Sequence, residues 1–257
     1  MFAHSLNSGL IKGFGTYQVK DPVIITQAIN NGYNLFDTAE LYRNEKMVID
    51  AIKLWPGKQL FVSTKISYIA IEKGQIEQSF YDRLEIFGGL KINCLLLHKP
   101  SSDCRRDWSI LCGLYQKHRD LIDHIGVSNY DLKHLEQLDG MMCPFINQIE
   151  LSPFNVRTEL VTYCRSKGIM VVSHTTLTRG LMFNNPVILD LVDKYKTNAA
   201  KVFLTWALQN KYLTIPRTSK LEHLLENIKE PDFVFSDDDM KTLGQLDENF
   251  ALTKVMF

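Results

Sequence analysis

Eight short apolar runs recur along the chain, each separated from the next by a longer amphipathic stretch. They cover residues 10–15, 33–37, 60–65, 92–98, 124–129, 145–150, 168–174 and 212–217. Within each run the apolar residues are nearly continuous rather than alternating, the pattern of strands buried on both faces of a parallel sheet. The stretches between them read as helices. Residues 21–30 open with Asp21-Pro22, a cap followed by a first-turn proline. Residues 45–54 and 76–84 have helical spacing, and 108–117 places Trp108, Leu111, Leu114 and Tyr115 on one face. Residues 197–210 open with a cap-type Thr197 and direct Val202, Phe203, Trp206 and Ala207 inward, and Ser236 caps a last helix. Eight strands alternating with helices in 257 residues predict an α/β fold, a (β/α)8 TIM barrel of one domain spanning 1–257 with shortened loops. An open doubly wound sheet would carry a G-x-G-x-x-G phosphate loop. Here Gly13-Phe14-Gly15 continues instead as Thr16-Tyr17-Gln18.

Composition narrows the class of function. Lysine plus arginine equal aspartate plus glutamate at 29 each, so neither nucleic acid nor an anionic membrane is an expected partner. No apolar run reaches ~18 residues, and the first residues lack a basic-then-apolar leader, so a cytoplasmic protein is expected. Five cysteines, an odd number without a C-x-x-C pair, read as reduced thiols. No evident sticky stretch is present, which suggests a monomer.

Three apolar runs end on a polar residue: Asp37, Lys65 and His98, and Tyr42 follows Asp37 by five positions. In parallel α/β folds the carboxyl ends of the strands open onto one face, so these four side chains should converge. Each alone has a dull explanation: a helix cap, a packing tyrosine, a solvated lysine, a histidine on a backbone carbonyl. Their placement after three successive strands favours a site. A free phenol has a pKa near ~10, and a neighbouring ammonium favours its ionised form. Asp37 would keep Lys65 charged, and His98 would orient a bound carbonyl oxygen. The set suits proton donation to an oxyanion as it forms. No G-x-S-x-G elbow marks a hydrolase, and no H-x-x-H or H-E-x-x-H pair marks a metal site.

The chain resembles the aldo-keto reductases over nearly its whole length. Phe36-Asp37-Thr38-Ala39-Glu40-Leu41-Tyr42-Arg43-Asn44-Glu45 resembles the family's D-T-A-x-x-Y-x-N-E motif, and Ser63-Thr64-Lys65 and Leu96-Leu97-His98 match the next two members of its tetrad. Gly126-Val127-Ser128-Asn129, Asn147-Gln148-Ile149-Glu150, Ile215-Pro216-Arg217-Thr218 with Glu226-Asn227, and the closing 246–250 follow in order. The resemblance implies NADPH-dependent reduction of a small aldehyde or ketone, with NADH possible. Tyr42 would give the proton, Lys65 and Asp37 would lower its pKa, and His98 would orient the carbonyl. Ser128, Asn129 and Gln148 would hold the nicotinamide carboxamide, with Gly15, Thr16 and Tyr17 lining the same pocket. Leu177 to Gly180, including Arg179, would meet the pyrophosphate. Arg217, Thr218 and Ser219 would form the 2′-phosphate pocket, with His223, Glu226 and Asn227 nearby.

This chain departs from the family pattern at several places. His174 stands where an aromatic residue, often tyrosine, stacks on the nicotinamide; Thr175 follows, and Thr176 replaces the usual proline. His223 stands in place of a second arginine, which should weaken phosphate recognition. Only residues 99–125 separate His98 from Gly126, the chain ends seven residues after Phe250, and the N-terminal hairpin looks trimmed around Ser8-Gly9-Leu10. An open substrate cleft follows, with Tyr17, Lys99 and Trp108 as wall candidates beside His98; Trp108 equally suits the buried anchor of its helix. Two alternatives stay open. Lys65 could form a Schiff base as in class I aldolases, which leaves the amide-bearing trio without a task. Or the chain is a cofactor-binding regulatory or degenerate relative without efficient turnover.

Overall fold

A computed structural model describes residues 12–253, and within it every expected strand forms. The strands are β1 (Gly13–Gly15), β2 (Leu35–Asp37), β3 (Phe61–Ile66), β4 (Ile92–Leu97), β5 (Ile122–Ser128), β6 (Ile146–Glu150), β7 (Met170–His174) and β8 (Leu213–Thr214). They lie in sequence order in one sheet, and each pairs in parallel with the next. The Gly15 N–H donates to Pro216 O at 3.1 Å and brings the last strand back to the first. That approach explains the two glycines of β1. A Cβ at Gly13 would lie 2.4 Å from Thr214 O, and one at Gly15 would lie 2.7 Å from Ile215 O. The expected hairpin around Ser8-Gly9-Leu10, the start of the 10–15 run and the last four residues lie outside the described residues.

The helices are α1 (Pro22–Asn30), α2 (Glu45–Lys53), α3 (Tyr68–Glu72), α4 (Ile76–Phe87), α5 (Cys104–Lys117), α6 (Leu132–Glu136), α7 (Thr158–Ser166), α8 (Pro186–Tyr195), α9 (Ala199–Gln209), α10 (Leu221–Ile228) and α11 (Asp237–Gly244). Several boundaries differ from expectation for local reasons. The helix expected over 76–84 runs on to Phe87, where Gly88 adopts φ 51° and ends it. The helix expected over 108–117 starts at Cys104 because the Asp103 carboxylate accepts from Arg106 N at 3.0 Å. The cap of α9 is Asn198 rather than Thr197: its side chain accepts from Lys201 N at 2.9 Å, just after Lys196 closes α8 at φ 50°. Trp108 is fully buried and donates to Met142 O at 2.7 Å, so it anchors α5 and builds no cleft wall. No helix among the described residues is long and apolar enough to cross a membrane.

Strand alternation is what positions the site. Residues two apart on a strand face the same way. Leu35, Phe61, Cys94, Leu96, Ile146, Val172 and Ile215 pack together inside the barrel. Two residues further along β2, β4, β6 and β7 stand Asp37, His98, Gln148 and His174; Lys65 follows Phe61 by four and Arg217 follows Ile215 by two. β2, β3, β4, β6, β7 and the segment after β8 therefore contribute apolar filling to the interior and then a polar group at the carboxyl end. A larger apolar core, including Phe14, Phe36, Phe80, Trp108 and Trp206, lies outside this filling and packs sheet against helices.

Candidate active site

A cleft of about 870 Å³ opens at the carboxyl ends of the strands. Its floor is an ion pair. Lys65 is fully buried, and its Nζ donates to Asp37 Oδ2 at 2.6 Å and to Thr38 O at 2.9 Å. Its Nζ also lies 5.1 Å from the centre of the Tyr42 ring. Asp37, also buried, accepts through Oδ1 from Ser63 Oγ at 2.7 Å and Gln148 Nε2 at 2.8 Å. Burial would discharge an isolated lysine, but Asp37 and Tyr42 outweigh it and hold Lys65 above its ordinary pKa. The lysine is thus a fixed cation beneath the phenol.

The Tyr42 phenol itself departs from expectation. Its pKa lies above the ordinary tyrosine value because burial dominates; Lys65 pulls it down, while Asp37 pushes it up. The carboxylate therefore assists ionisation of the phenol only by holding the lysine charged, while its own charge opposes it. A raised value keeps Tyr42 protonated at neutral pH, the state a proton donor needs. Tyr42 packs edge-on against Tyr17 (5.1 Å between centroids) and His98 (5.9 Å). The pKa of His98 lies well below the imidazole range, through burial and the charge of Lys65. Its Nδ1 is buried with no protein partner. A lone pair is the cheaper group to leave unpaired, so the proton is assigned to Nε2, where it can be given to a carbonyl oxygen.

Asn129, after β5, has φ 60° and donates through Nδ2 to His98 O (3.1 Å) and Ser128 Oγ (3.0 Å). Its Oδ1 lies 2.9 Å from His174 Nε2, and His174 Nδ1 lies 2.9 Å from Thr175 Oγ1. With both Asn129 donors committed, Oδ1 must accept, which assigns the His174 proton to Nε2. Burial, Lys65 and Arg179 lower the pKa of His174 to about 3, so the ring is neutral. For both histidines the unfolded chain binds protons that the folded chain refuses, so stability is complete above pH ~6.5 and is lost as pH falls. The loss should reach up to about 1.4 kcal/mol per pH unit for each ring. Urea unfolding between pH 6.5 and 5 should therefore flatten in His98→Gln and in His174→Gln; an unchanged slope would contradict the assignment.

Most residues expected at the site meet in this cleft. Gly15, Tyr17, Asp37, Tyr42, His98, Ser128, Asn129, Gln148 and His174 line its inner part. Thr175, Leu177, Arg179, Arg217, Thr218, Ser219 and His223 line its outer part. Thr16 and Lys65 lie beneath the surface, fully buried. Lys99 is set back from the cleft, its Nζ 5.5 Å from the centre of the Tyr68 ring, and Tyr68 supplies the wall instead. Glu226 and Asn227 lie on α10 away from the lining. Arg217 donates to Tyr17 O at 2.8 Å and Gln18 O at 3.4 Å, which ties the ends of β8 and β1 together.

Sequence reasoning did not find Gln18, Leu41, Tyr68, Phe183, Lys220 or Thr253, which also line the cleft. Tyr68 was findable, since Ser67 caps a helix directly after the lysine strand and its hydroxyl accepts from Ala70 N at 3.1 Å. Thr253 was not. It reaches the site because the Glu150 carboxylate, at the end of β6, accepts from Leu252 N and Thr253 N at 2.8 Å each, and also from the Thr253 hydroxyl. Among the described residues no cluster of His, Cys, Asp and Glu could hold a metal ion.

The barrel and its rim of phenol, buried lysine and carboxylate, and neutral imidazoles define an oxidoreductase site for carbonyl chemistry. Comparison with known proteins agrees. The model of the Aldo/keto reductase family matches residues 16–248. The chain is 32% identical to an uncharacterized oxidoreductase of Saccharomyces cerevisiae (91% of this chain, 89% of that one). It is likewise 32% identical to the glyoxal reductase of Bacillus subtilis (92% and 88%) and 30% identical to a methylglyoxal reductase of Escherichia coli O157:H7 (93% and 94%). A crystal structure of an aldo-keto reductase from a deep-sea metagenome library superposes with a TM-score of 0.86 at 23% identity, over 95% of this chain and 93% of that one. The chain belongs to the aldo/keto reductase family and is an NAD(P)H-dependent carbonyl oxidoreductase.

Proposed function

We propose that the protein reduces a small aldehyde or ketone to the alcohol with NADPH, with Tyr42 as the proton donor. The observation that carries this reading is the buried Lys65 cation, held by Asp37 and Thr38 O with its Nζ 5.1 Å from the centre of the Tyr42 ring. A buried cation fixed beside a phenol can stabilise negative charge arriving on the phenol oxygen. NADPH, when bound, supplies the hydride to the carbonyl carbon. The residues present fit such a cofactor. Gln148, Ser128 and Asn129 line the cleft beside the tetrad, where the Asn129 oxygen, already accepting from His174, keeps a second lone pair for a carboxamide N–H, while Arg179, Arg217 and Lys220 place positive charge along the outer cleft.

On this reading the Nε2–H of His98 orients the carbonyl oxygen toward the Tyr42 hydroxyl. As charge develops on that oxygen, Tyr42 transfers its proton and the adjacent Lys65 ammonium stabilises the phenolate left behind. His174, held by Asn129 and Thr175, would offer its ring face to the nicotinamide. The relatives named glyoxal reductase and methylglyoxal reductase support short 2-oxoaldehydes as the first substrates to try. The reading places the enzyme in the cytosol as a monomer; the unpaired state of all five cysteines supports a reducing compartment.

The test is a fluorescence titration with NADPH and NADH, followed by turnover of methylglyoxal. Tight NADPH binding with turnover is expected. Binding without turnover across several carbonyls would instead favour a regulatory relative. Arg217→Ala should weaken NADPH by about 10- to 100-fold, the loss of a charge-assisted contact, and NADH by much less. His223→Arg should tighten NADPH selectively. Equal effects on both cofactors would move the 2′-phosphate elsewhere.

A further inference from the structure

The turn that carries Tyr42 is held from outside the barrel by a group that touches neither the cleft floor nor its walls. Tyr42 ends a short 3-10 turn, Glu40–Tyr42, and Arg43 follows in the left-handed region at φ 54°. Glu40 opens that turn, and Glu45 opens α2 directly after it. Arg83, on α4, reaches both carboxylates. Its Nη1 lies 3.0 Å from Glu40 Oε2 and donates to Ser79 Oγ at 2.7 Å. Its Nε lies 3.1 Å from Glu45 Oε2, an ion-pair contact off the hydrogen-bond axis. Arg83 is 4% exposed, an unusual depth for a charge on an outer helix.

The same two carboxylates also hold the lysine strand. The Thr64 hydroxyl, next to Lys65, donates to Glu45. Ser67 N, two residues beyond Lys65, donates to Glu40 Oε2 at 2.8 Å, and Ser79 Oγ donates to that oxygen at 2.8 Å. One guanidinium is therefore linked through two carboxylates to the chain on both sides of Tyr42 and on both sides of Lys65. The fork geometry suits this task, because a planar guanidinium fixes the angle between its partners as well as their distance.

We propose that Arg83 is a positioning residue for the reduction: through Glu40 and Glu45 it sets the distance from the Tyr42 hydroxyl to Lys65. This rests on the assignment of Tyr42 as proton donor. Glu45 is within electrostatic reach of Lys65, and Arg83 is the strongest charge acting on it. Glu45 meets β3 at Thr64, on the face opposite Lys65. Without Arg83 the turn between Glu40 and Glu45 loses its anchor, and the phenol loses its register on Lys65, while the cofactor cleft keeps its lining.

The experiment compares wild type, Arg83→Gln, Arg83→Lys and the double variant Arg83→Gln/Glu45→Gln. Each is read for kcat, aldehyde KM, NADPH affinity, melting temperature and the pH profile of kcat. Arg83→Gln should lower kcat by about 10- to 100-fold, as expected for a misplaced general acid. NADPH affinity should stay within about twofold of wild type, since nothing in the cleft is removed. The alkaline limb of the kcat profile should move up by about half a pH unit or more, as the phenol moves away from Lys65. Arg83→Lys keeps the charge without the fork, so it should recover kcat and the limb only in part. The double variant removes the uncompensated carboxylate and should fold even if the single variant does not, with kcat and the limb still displaced because the turn stays unanchored. A kcat within twofold of wild type in Arg83→Gln overturns the proposal. So does a loss that tracks the unfolded fraction with the pH profile unmoved in every variant. A wild type that reduces no carbonyl overturns the reductase reading first; turnover abolished by Tyr42→Phe but untouched by Arg83→Gln overturns only the positioning role.

Discussion

Tyr42→Phe should lower kcat for carbonyl reduction by about 10²- to 10⁴-fold, the range that a positioned general acid contributes. The substitution removes one oxygen and keeps the ring, so the edge-on contacts with Tyr17 and His98 remain. NADPH affinity should change little, because that oxygen faces the carbonyl and Lys65 rather than the cofactor's far end. Lys65 stays in place without the phenol, because Asp37 and Thr38 O still hold it. Steady-state kinetics with a short 2-oxoaldehyde, alongside fluorescence titration of NADPH, separates the two effects. Turnover within tenfold of wild type would remove Tyr42 from the proton-donor role.

Lys65→Met should be the most destabilising single change in the site, at about 3–5 kcal/mol, because it strands a buried carboxylate. Asp37 would keep Ser63 Oγ and Gln148 Nε2 as donors, which moderates the cost without supplying a counter-charge. The double variant Asp37→Asn/Lys65→Met should be more stable than Lys65→Met alone, since an amide tolerates the apolar neighbour better than a carboxylate does. Both variants should be catalytically dead. Urea unfolding of the two variants against wild type measures the difference. A double variant no more stable than the single one would mean that the pair's charge is not what holds this corner together.

Legibility in the sequence varied from one part of the molecule to another. The eight strands were legible because both faces of each are buried, which leaves continuous apolar runs. β8 was the exception in extent: the expected run continues to Arg217, but Pro216 has no N–H to donate, and only Leu213–Thr214 pair as strand. Helix starts followed side-chain caps, and where two cap-type residues adjoin, as Thr197 and Asn198 do, the choice was made by Lys196 closing the helix before them. At the site, Asp37, Tyr42, Lys65 and His98 were readable because strand-end position is a sequence property. Tyr68 lines the cleft because a helix starts at once after β3, capped by Ser67, and Lys99 lies against that ring rather than on the lining. Arg83 looked like any charged residue on an amphipathic helix, and nothing local distinguishes it from Arg105 or Arg106.

By itself, the sequence determined the element order, the barrel and which polar residues would meet at the strand ends, because periodicity and strand ends are local in the chain. Only the tertiary structure decided their electrostatics. Whether Tyr42 sits above or below its ordinary pKa depends on a balance between burial and the charges of Lys65 and Asp37, which come from different strands. Whether His174 is charged depends on burial, Lys65 and Arg179, and its tautomer follows from its bond to Asn129. Whether Glu150 faces solvent or pins residues 252–253 depends on a contact across about a hundred residues. Desolvation and Coulomb energies depend on distance in space, and spatial neighbours become known only once the chain has closed on itself.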